Sequence, residues 1–199
     1  MNRSKFSTRD LVELALLTAV ILLLAFTPLG YIRTAGLEIT LIVVPVAVGA
    51  VTLGPAAGAV LGGVFGITSF IQCFGVSTLG TVLLGVNPVF TFLVCVPTRI
   101  LDGFLTGLIY RGLRKIRISG GVSATVANVC CPLLNTVFFM GTMVTLFAET
   151  MRQQYGMEAV LPFIVASVGV NGLVEAAACF IVGTAVTLAL GKALRRNED

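Results

Sequence analysis

Long apolar runs separated by short polar segments dominate the chain. Several runs approach the ~20 apolar residues that a membrane-spanning helix needs. The pattern predicts an all-α membrane protein, a six-transmembrane-helix bundle that forms a single integral membrane domain over residues 1–199. The predicted spans are about Leu11–Leu29, Ile39–Leu53, Ala56–Phe74, Val86–Tyr110, Gly121–Phe147 and Ala159–Leu190.

The segments between these spans are predicted to be short connections. Gly54 and Pro55 predict a tight turn between the second and third spans. The Gly/Ser/Thr-rich stretch Gly75–Gly85 predicts a loop or a re-entrant segment, which at membrane depth must be covered by protein or face water. Two further loops are marked by charged or aromatic residues, one by Tyr31, Arg33 and Glu38 and the other by Glu149, Arg152 and Glu158.

Basic residues set the predicted orientation. Ten of the thirteen Lys and Arg residues form three clusters: Arg3, Lys5 and Arg9; Arg111, Arg114, Lys115 and Arg117; and Lys192, Arg195 and Arg196. Six spans place all three clusters on the same side as both termini, and positive charge favours the cytoplasmic side. We therefore expect both termini to be cytoplasmic. We also expect the first apolar run to be a retained span, because no small-residue cleavage site follows a short apolar core.

Composition excludes several classes of function. The chain is 57% hydrophobic and 11% charged, with a mean hydropathy of +1.03, whereas soluble domains carry about 25% charged residues. The net charge of +4 is explained by residues flanking the spans. Since no aromatic residues are interleaved with the basic ones, we expect no nucleic-acid partner.

Candidate catalytic chemistry is sparse. His is absent, so neither a Ser-His arrangement nor a Cys/His zinc site can form. The five cysteines form no C-x-x-C pair. We expect them to be small buried hydrophobic residues and not a disulfide framework. No phosphate-binding loop motif occurs. We expect no enzyme activity, no metal, no cofactor and no ATPase site within this chain, so uphill transport would need an ion gradient or a partner.

Small residues predict close helix contacts. Gly54, Gly58, Gly62 and Gly66 recur every four residues on the third span, and Gly103 and Gly107 repeat the spacing on the fourth. Such stripes let helix backbones approach closely. Ala15 and Ala19 have the same spacing near the cytoplasmic end of the first span. We predict that these two alanines form a surface where a partner subunit docks.

Polar residues within the spans are the candidate ligand site, because each is costly in hydrocarbon. Arg99 and Asp102 are three residues apart on one helix face, so Arg99 either pairs with Asp102 or grips a ligand carboxylate. Pro97 frees backbone groups nearby. Hydrogen bonds between helices would explain any one of these polar residues. Together they suggest a polar pocket that opens outward, and its candidate residues are Gln72, Asn87, Arg99, Asn135, Asn171 and Glu175.

Taken in order, these motifs resemble the substrate-binding S component of energy-coupling factor (ECF) vitamin transporters. The resemblance covers essentially the whole chain. Its motifs include Ala15-x-x-x-Ala19, Phe26-Thr-Pro-Leu-Gly-Tyr31, Thr52-Leu-Gly-Pro55, Asn87-Pro88, Val96-Pro-Thr-Arg99, Asn135-Thr136, and Asn171-Gly172 with Glu175.

This resemblance implies a fold, partners and a mechanism. The S component binds a vitamin near its outer side, in a pocket formed by outer loops and by the outer halves of helices four to six. It docks through its first helices on a membrane coupling (T) subunit that carries two cytoplasmic ATPase subunits, and it topples to release the vitamin inside. Ala15 and Ala19 match the docking motif, whereas the six pocket candidates rest on depth and polarity.

The substrate pattern is most similar to the pantothenate-type subgroup. Arg99 would bind the carboxylate of pantothenate, and Asn side chains would bind its hydroxyl or amide groups. Because Trp is absent, an aromatic stacking pocket of the thiamine or biotin type is not expected. Alternatives are another vitamin such as pyridoxine, folate or cobalamin, an ion-coupled secondary carrier using Arg99, Asp102 and Glu175, or a membrane scaffold that binds no solute.

Overall fold

The computed structural model describes residues 7–27, 30–34, 37–149 and 172–195. The helices are α1 Thr8–Phe26, α2 Val43–Thr52, α3 Pro55–Gln72, α4 Thr78–Val86, α5 Pro88–Lys115, α6 Gly120–Leu146, α7 Gly172–Ala178 and α8 Thr184–Arg195. A π-helical turn, Cys179–Gly183, joins α7 and α8 into one continuous helix. Strands β1 Tyr31–Thr34 and β2 Leu37–Thr40 lie between α1 and α2.

Four helices in the described ranges are long and apolar enough to cross a membrane. They are α3, α5, α6 and the continuous segment Gly172–Gly191. Helix α1 has 19 residues but begins with three ionisable side chains, and α2 has only ten residues. The predicted helical membrane class is confirmed. The part of the predicted sixth span before Gly172 lies outside the described residues.

A β-hairpin replaces the predicted loop after the first span. Strands β1 and β2 are antiparallel, with Tyr31 opposite Thr40 and Thr34 opposite Leu37. Tyr, Ile and Thr favour extended backbone, and these types make up much of both strands. The loop prediction is therefore wrong here, and Ile39 belongs to β2 and not to the second span.

Helix α4 lies within the stretch that we predicted to be a loop or a re-entrant segment. The Ser77 hydroxyl accepts a hydrogen bond from the Gly80 amide at 3.2 Å, which caps the helix. Leu83 is buried beside Val94, Met143 and Phe147. Capping and burial thus outweigh the weak helix propensity of the Gly/Ser/Thr composition. The loop alternative is wrong over residues 78–85, and the re-entrant alternative stays a prediction.

Helices α5 and α6 confirm the positions predicted for the fourth and fifth spans. Asn87 caps α5, and Pro88 follows at its first position. An amide at this position has no acceptor within the helix, so the missing N–H of proline costs no hydrogen bond. Ser119 caps α6 through the Val122 amide. Each helix contains an internal proline, Pro97 in α5 and Pro132 in α6.

Glycines bring α3 and α5 into backbone contact, as predicted. A Cβ atom added to Gly58 would overlap the carbonyl of Gly103, and one added to Gly62 would overlap the carbonyl of Arg99. At Gly66 the added atom would lie 2.8 Å from the Cys95 oxygen. At these three glycines the two helix backbones therefore pack with no side chain between them.

The largest core cluster lies at the centre of the bundle. It joins Ile21 of α1, Val46 of α2, Phe65 of α3, Cys131 of α6 and Cys179 of the π-helical turn. Many apolar side chains point outward from the described helices, among them Leu16, Val137 and Ile181. An apolar exterior of this kind suits hydrocarbon as the surrounding solvent.

The glycine contact yields a stability prediction. Gly62→Ala should lower the free energy of unfolding by about 1–3 kcal/mol, because the new methyl group meets the Arg99 carbonyl. The matched control is Gly63→Ala, whose Cβ atom would meet the Ile100 side chain at an ordinary 3.5 Å. Denaturant unfolding of both variants in one detergent measures the difference. Equal stabilities would show that the contact is not tight.

Candidate functional site

Arg99 lies buried in the middle of α5, with 6% of its surface exposed. Its Nη1 donates to the Cys95 carbonyl at 3.0 Å and to the Val94 carbonyl at 3.4 Å. The guanidinium carbon lies 4.6 Å from the ring centroid of Phe65 and 4.8 Å from that of Phe139. Carbonyl dipoles and aromatic faces thus stabilise the cation.

The Arg99 charge has no directly bonded counterion within the described residues. Asp102 lies beyond salt-bridge distance from it, so the direct ion pair that we considered does not form. The Arg99 Nε has no hydrogen-bond partner in the described ranges. A buried guanidinium therefore keeps an unused donor.

Asp102 is fully buried between α5 and α6. Its Oδ2 accepts from the Cys131 thiol at 3.6 Å, and its Oδ1 has no partner within the described part of the chain. Because Asp102 of α5 contacts Cys131 of α6, these two residues lie at the same depth in the two antiparallel helices.

Asn135 belongs to the same layer of the bundle as Arg99. Arg99 lies about one turn before Asp102 on α5, and Asn135 lies about one turn after Cys131 on α6. Because the two helices are antiparallel, both steps lead toward the same end of the bundle. Asn135 is buried, and it shares a helix face with Phe139, which covers Arg99. Its Oδ1 has no partner among the residues described.

Glu175 reaches this layer from α7. Its side chain is buried, and its Oε1 accepts from the Thr40 backbone amide at 2.9 Å, which ties β2 to the last helix. Gly172, one turn before Glu175 on α7, lies against Thr136, the neighbour of Asn135 on α6. Arg99, Asn135 and Glu175 therefore form one polar layer across α5, α6 and α7.

Gln72 and Asn87 lie elsewhere. Gln72 is six residues beyond Gly66, which contacts the Cys95 carbonyl that accepts from the Arg99 guanidinium, so it lies about 9 Å along α3 from that group. Its Nε2 donates to the Ala25 carbonyl at 2.6 Å. The Asn87 Oδ1 accepts from the amides of Val89 and Phe90. Both side chains already have structural bonds, and their ligand-binding role stays a prediction.

The remaining predicted site residues are Asn171, Ala15 and Ala19. Asn171 lies outside the described residues. Its neighbour Gly172 begins α7 next to Thr136, since a Cβ atom added there would lie 3.6 Å from the Thr136 hydroxyl. Ala15 and Ala19 are exposed on α1, whereas Ile21 and Ala25 are its buried residues. The alanine pair therefore faces away from the core.

Sequence reasoning missed Phe65, Phe139 and the Thr40 amide. The chain has 13 Phe residues, and nothing in the local sequence separates the two that cover Arg99. The Asn135–Phe139 spacing of four is a weak signal, because it places both on one face of a helix. A backbone donor such as Thr40 leaves no signal in the side-chain sequence.

An apolar groove of about 320 Å³ between α5 and α6 is a poorer candidate site. Pro97, Leu101 and Phe138 are among its lining residues, and no ionisable side chain lines it. In the described ranges, no group of three or more His, Cys, Asp or Glu side chains could hold a metal ion. The polar layer around Arg99 remains the candidate site.

The bond between Thr40 and Glu175 yields a second prediction. Glu175→Gln keeps a carbonyl oxygen for the Thr40 amide, so the unfolding free energy should stay close to that of the wild type. Glu175→Leu leaves that buried donor without an acceptor and should cost about 1–3 kcal/mol. Thermal unfolding in a common detergent compares the variants. A Gln variant as unstable as the Leu variant would contradict this role for the bond.

Comparisons with known proteins agree with this architecture. A sequence model of the ECF transporter substrate-specific component family matches residues 9–187. The pantothenic acid transporter PanT of Lactococcus lactis subsp. cremoris is 28% identical over 211 residues, covering 100% of both chains. The solved structure of ThiT from Listeria monocytogenes superposes with a TM-score of 0.57 and 16% identity, covering 92% of this chain and 96% of that one.

The likeness to ThiT shows the fold, and the family match extends over most of the chain. The resemblance stated from the motifs is confirmed, and with it the assignment to a family of membrane transport components. This chain belongs to the family of substrate-specific (S) components of ECF transporters.

Proposed function

We propose that this chain binds pantothenate and carries it across the membrane as the substrate-specific subunit of an ATP-driven ECF importer. The observation that carries the choice of vitamin is the end-to-end similarity to a pantothenic acid transporter. The chemistry of the polar layer supports it, because the layer offers a cation for a carboxylate and polar oxygens for hydroxyl or amide groups.

Arg99 is the proposed carboxylate site. A guanidinium matches a carboxylate in a forked, charge-assisted pair, and a cation buried in a membrane protein marks a functional site by default. Here the described residues supply carbonyls and aromatic rings, but no carboxylate in direct contact. The ligand would therefore provide the missing counterion.

Asn135 and Glu175 are the proposed partners for the rest of the ligand. The Asn135 Oδ1 is buried without a donor in the described ranges, so a ligand hydroxyl or amide hydrogen would satisfy it. Glu175 accepts from Thr40 through one oxygen and offers its carboxylate to a ligand hydroxyl. Gln72, Asn87 and Asn171 remain predicted contacts nearer the outer end.

The proposed topology is six spans in a single domain, with both termini cytoplasmic. Exposed Arg111, Arg114, Lys115 and Arg117 cluster at one end of α5 and in the turn after it, as a cytoplasmic end requires. Helix α5 has 28 residues, about 42 Å, and Arg99 lies about 17 Å from its opposite end. The ligand layer is thus in the outer half of the helix.

The proposed partners are a membrane coupling subunit and two cytoplasmic ATPase subunits. Ala15 and Ala19 support docking on α1, since they are exposed and small enough for close contact with a partner helix. They lie on either side of the middle of α1, Thr8–Phe26, whose first residues the proposed topology places at the cytoplasmic side.

Pantothenate binding tests the site directly. Arg99→Gln should weaken pantothenate binding at least about 30-fold, because a charge-assisted pair buried from water is lost. Lys115→Gln is the matched control, since it removes one exposed positive charge from the same helix and should leave affinity unchanged. Calorimetry on purified protein measures both.

A vitamin panel in the same calorimetry experiment tests the substrate. Absence of micromolar pantothenate binding to the wild type would reject the choice of vitamin. Unchanged affinity in a folded Arg99→Gln protein would leave Arg99 with a structural role only.

Coupling is tested by transport. Ala15→Arg with Ala19→Arg should abolish uptake by cells that contain the coupling module, yet leave vitamin binding by the purified protein intact. Leu16→Arg with Val20→Arg places the same charges at matched depths on an adjacent exposed strip of α1 and should reduce uptake less. Normal uptake by the alanine variant would contradict docking through this surface.

An ion-coupled carrier is the second candidate, favoured by the two buried carboxylates that no basic side chain in the described ranges contacts directly. Proteoliposomes containing this chain without any ATPase distinguish the two functions. Uptake driven by a proton or sodium gradient would support the carrier, whereas uptake that requires ATP and the coupling module supports the S component.

A further inference from the structure

Two thiols meet where α3 ends beside α5. The Sγ atoms of Cys73 and Cys95 lie 3.9 Å apart, and both side chains are buried, with 4% and 3% of their surface exposed. Cys131 and Cys179 share the central core cluster, but within the described residues only Cys73 and Cys95 have sulfur atoms in hydrogen-bond contact. Cys130 and Cys131 are adjacent on α6 and point to different sides of it.

The surroundings hold the two sulfur atoms in register. Cys73 and Cys95 form a small core cluster with Val96, against which Phe70 and Leu84 pack. A Cβ atom on Gly80 would lie 2.6 Å from the Cys73 sulfur, so α4 covers the pair. The α3–α5 backbone contact at Gly66 includes the Cys95 carbonyl.

We propose that Cys73 and Cys95 are an oxidisable pair that forms an intramolecular disulfide. With hydrogen peroxide as oxidant, one cysteine attacks an oxygen as its thiolate and the O–O bond breaks. A sulfenic acid forms, and the leaving hydroxide takes up the thiol proton to become water. The second thiol then attacks the sulfenic sulfur, the S–O bond breaks, and the S–S bond forms with release of a second water. Two thiols are oxidised and one peroxide is reduced.

The position of the pair gives the bond a structural consequence. Cys95 precedes Pro97 on α5, and its carbonyl accepts the hydrogen bond from Arg99. Pro97 cannot donate a backbone hydrogen bond to the preceding turn, so α5 is weakest at that point. A disulfide would fasten the segment of α5 before Pro97 to the end of α3, and so hold the carbonyls that bind Arg99.

The test uses the full-length wild-type protein in lipid nanodiscs, treated with hydrogen peroxide. Peptide mapping should find Cys73 joined to Cys95 with the loss of two hydrogen atoms, and dithiothreitol should reverse it. The thermal unfolding midpoint should rise by roughly 5–10 °C on oxidation. Cys73→Ser and Cys95→Ser should each abolish the shift, while the control Cys130→Ser should retain it.

The wild-type peptide map decides the question even if a serine variant fails to fold. Cys73 and Cys95 that remain alkylatable after peroxide treatment would overturn the proposal. Oxidation of either thiol to the sulfinic acid without a cross-link would overturn it as well. Neither readout depends on which vitamin the protein binds.

Discussion

Backbone contact between α3 and α5 is the constraint on which the described architecture depends. Hydrocarbon offers helices little hydrophobic gain from meeting each other, so they associate through close packing and polar contacts. The glycines of α3 supply that packing, and Gly62 touches the carbonyl of Arg99 itself. The same contact places Phe65 of α3 over the guanidinium. Helix packing and the candidate site are therefore parts of one arrangement.

The sequence predicted the long helices well, because their lengths and boundaries follow from local signals. Apolar runs set their extent, and Gly54-Pro55 and Asn87-Pro88 mark where α3 and α5 begin. The hairpin was missed because its pairing joins two four-residue segments that are too short to show a period. Helix α4 was missed because packing of Leu83 against three distant side chains outweighs composition.

For the site, depth and charge identified Arg99, Asn135 and Glu175, since polar groups within an apolar run are visible in the sequence. Depth alone could not show which of these groups share a layer. Gln72 has the right polarity, but it lies about 9 Å along α3 from the Arg99 guanidinium, and its amide donates to the Ala25 carbonyl. The sequence also could not decide whether Asp102 or a ligand is the counterion of Arg99. Their spacing of three residues permits an ion pair, but the Asp102 side chain is directed toward Cys131 and no ion pair forms.

Carbonyls and aromatic rings hold Arg99, and we propose that its charge binds the carboxylate of pantothenate. An experimental structure of the protein with pantothenate bound would show whether it does. We expect a carboxylate oxygen about 2.7–2.9 Å from a guanidinium nitrogen of Arg99, with Asn135 and Glu175 also in contact with the ligand. Pantothenate bound elsewhere, with Arg99 still bonded to the Cys95 carbonyl and to no ligand atom, would contradict it.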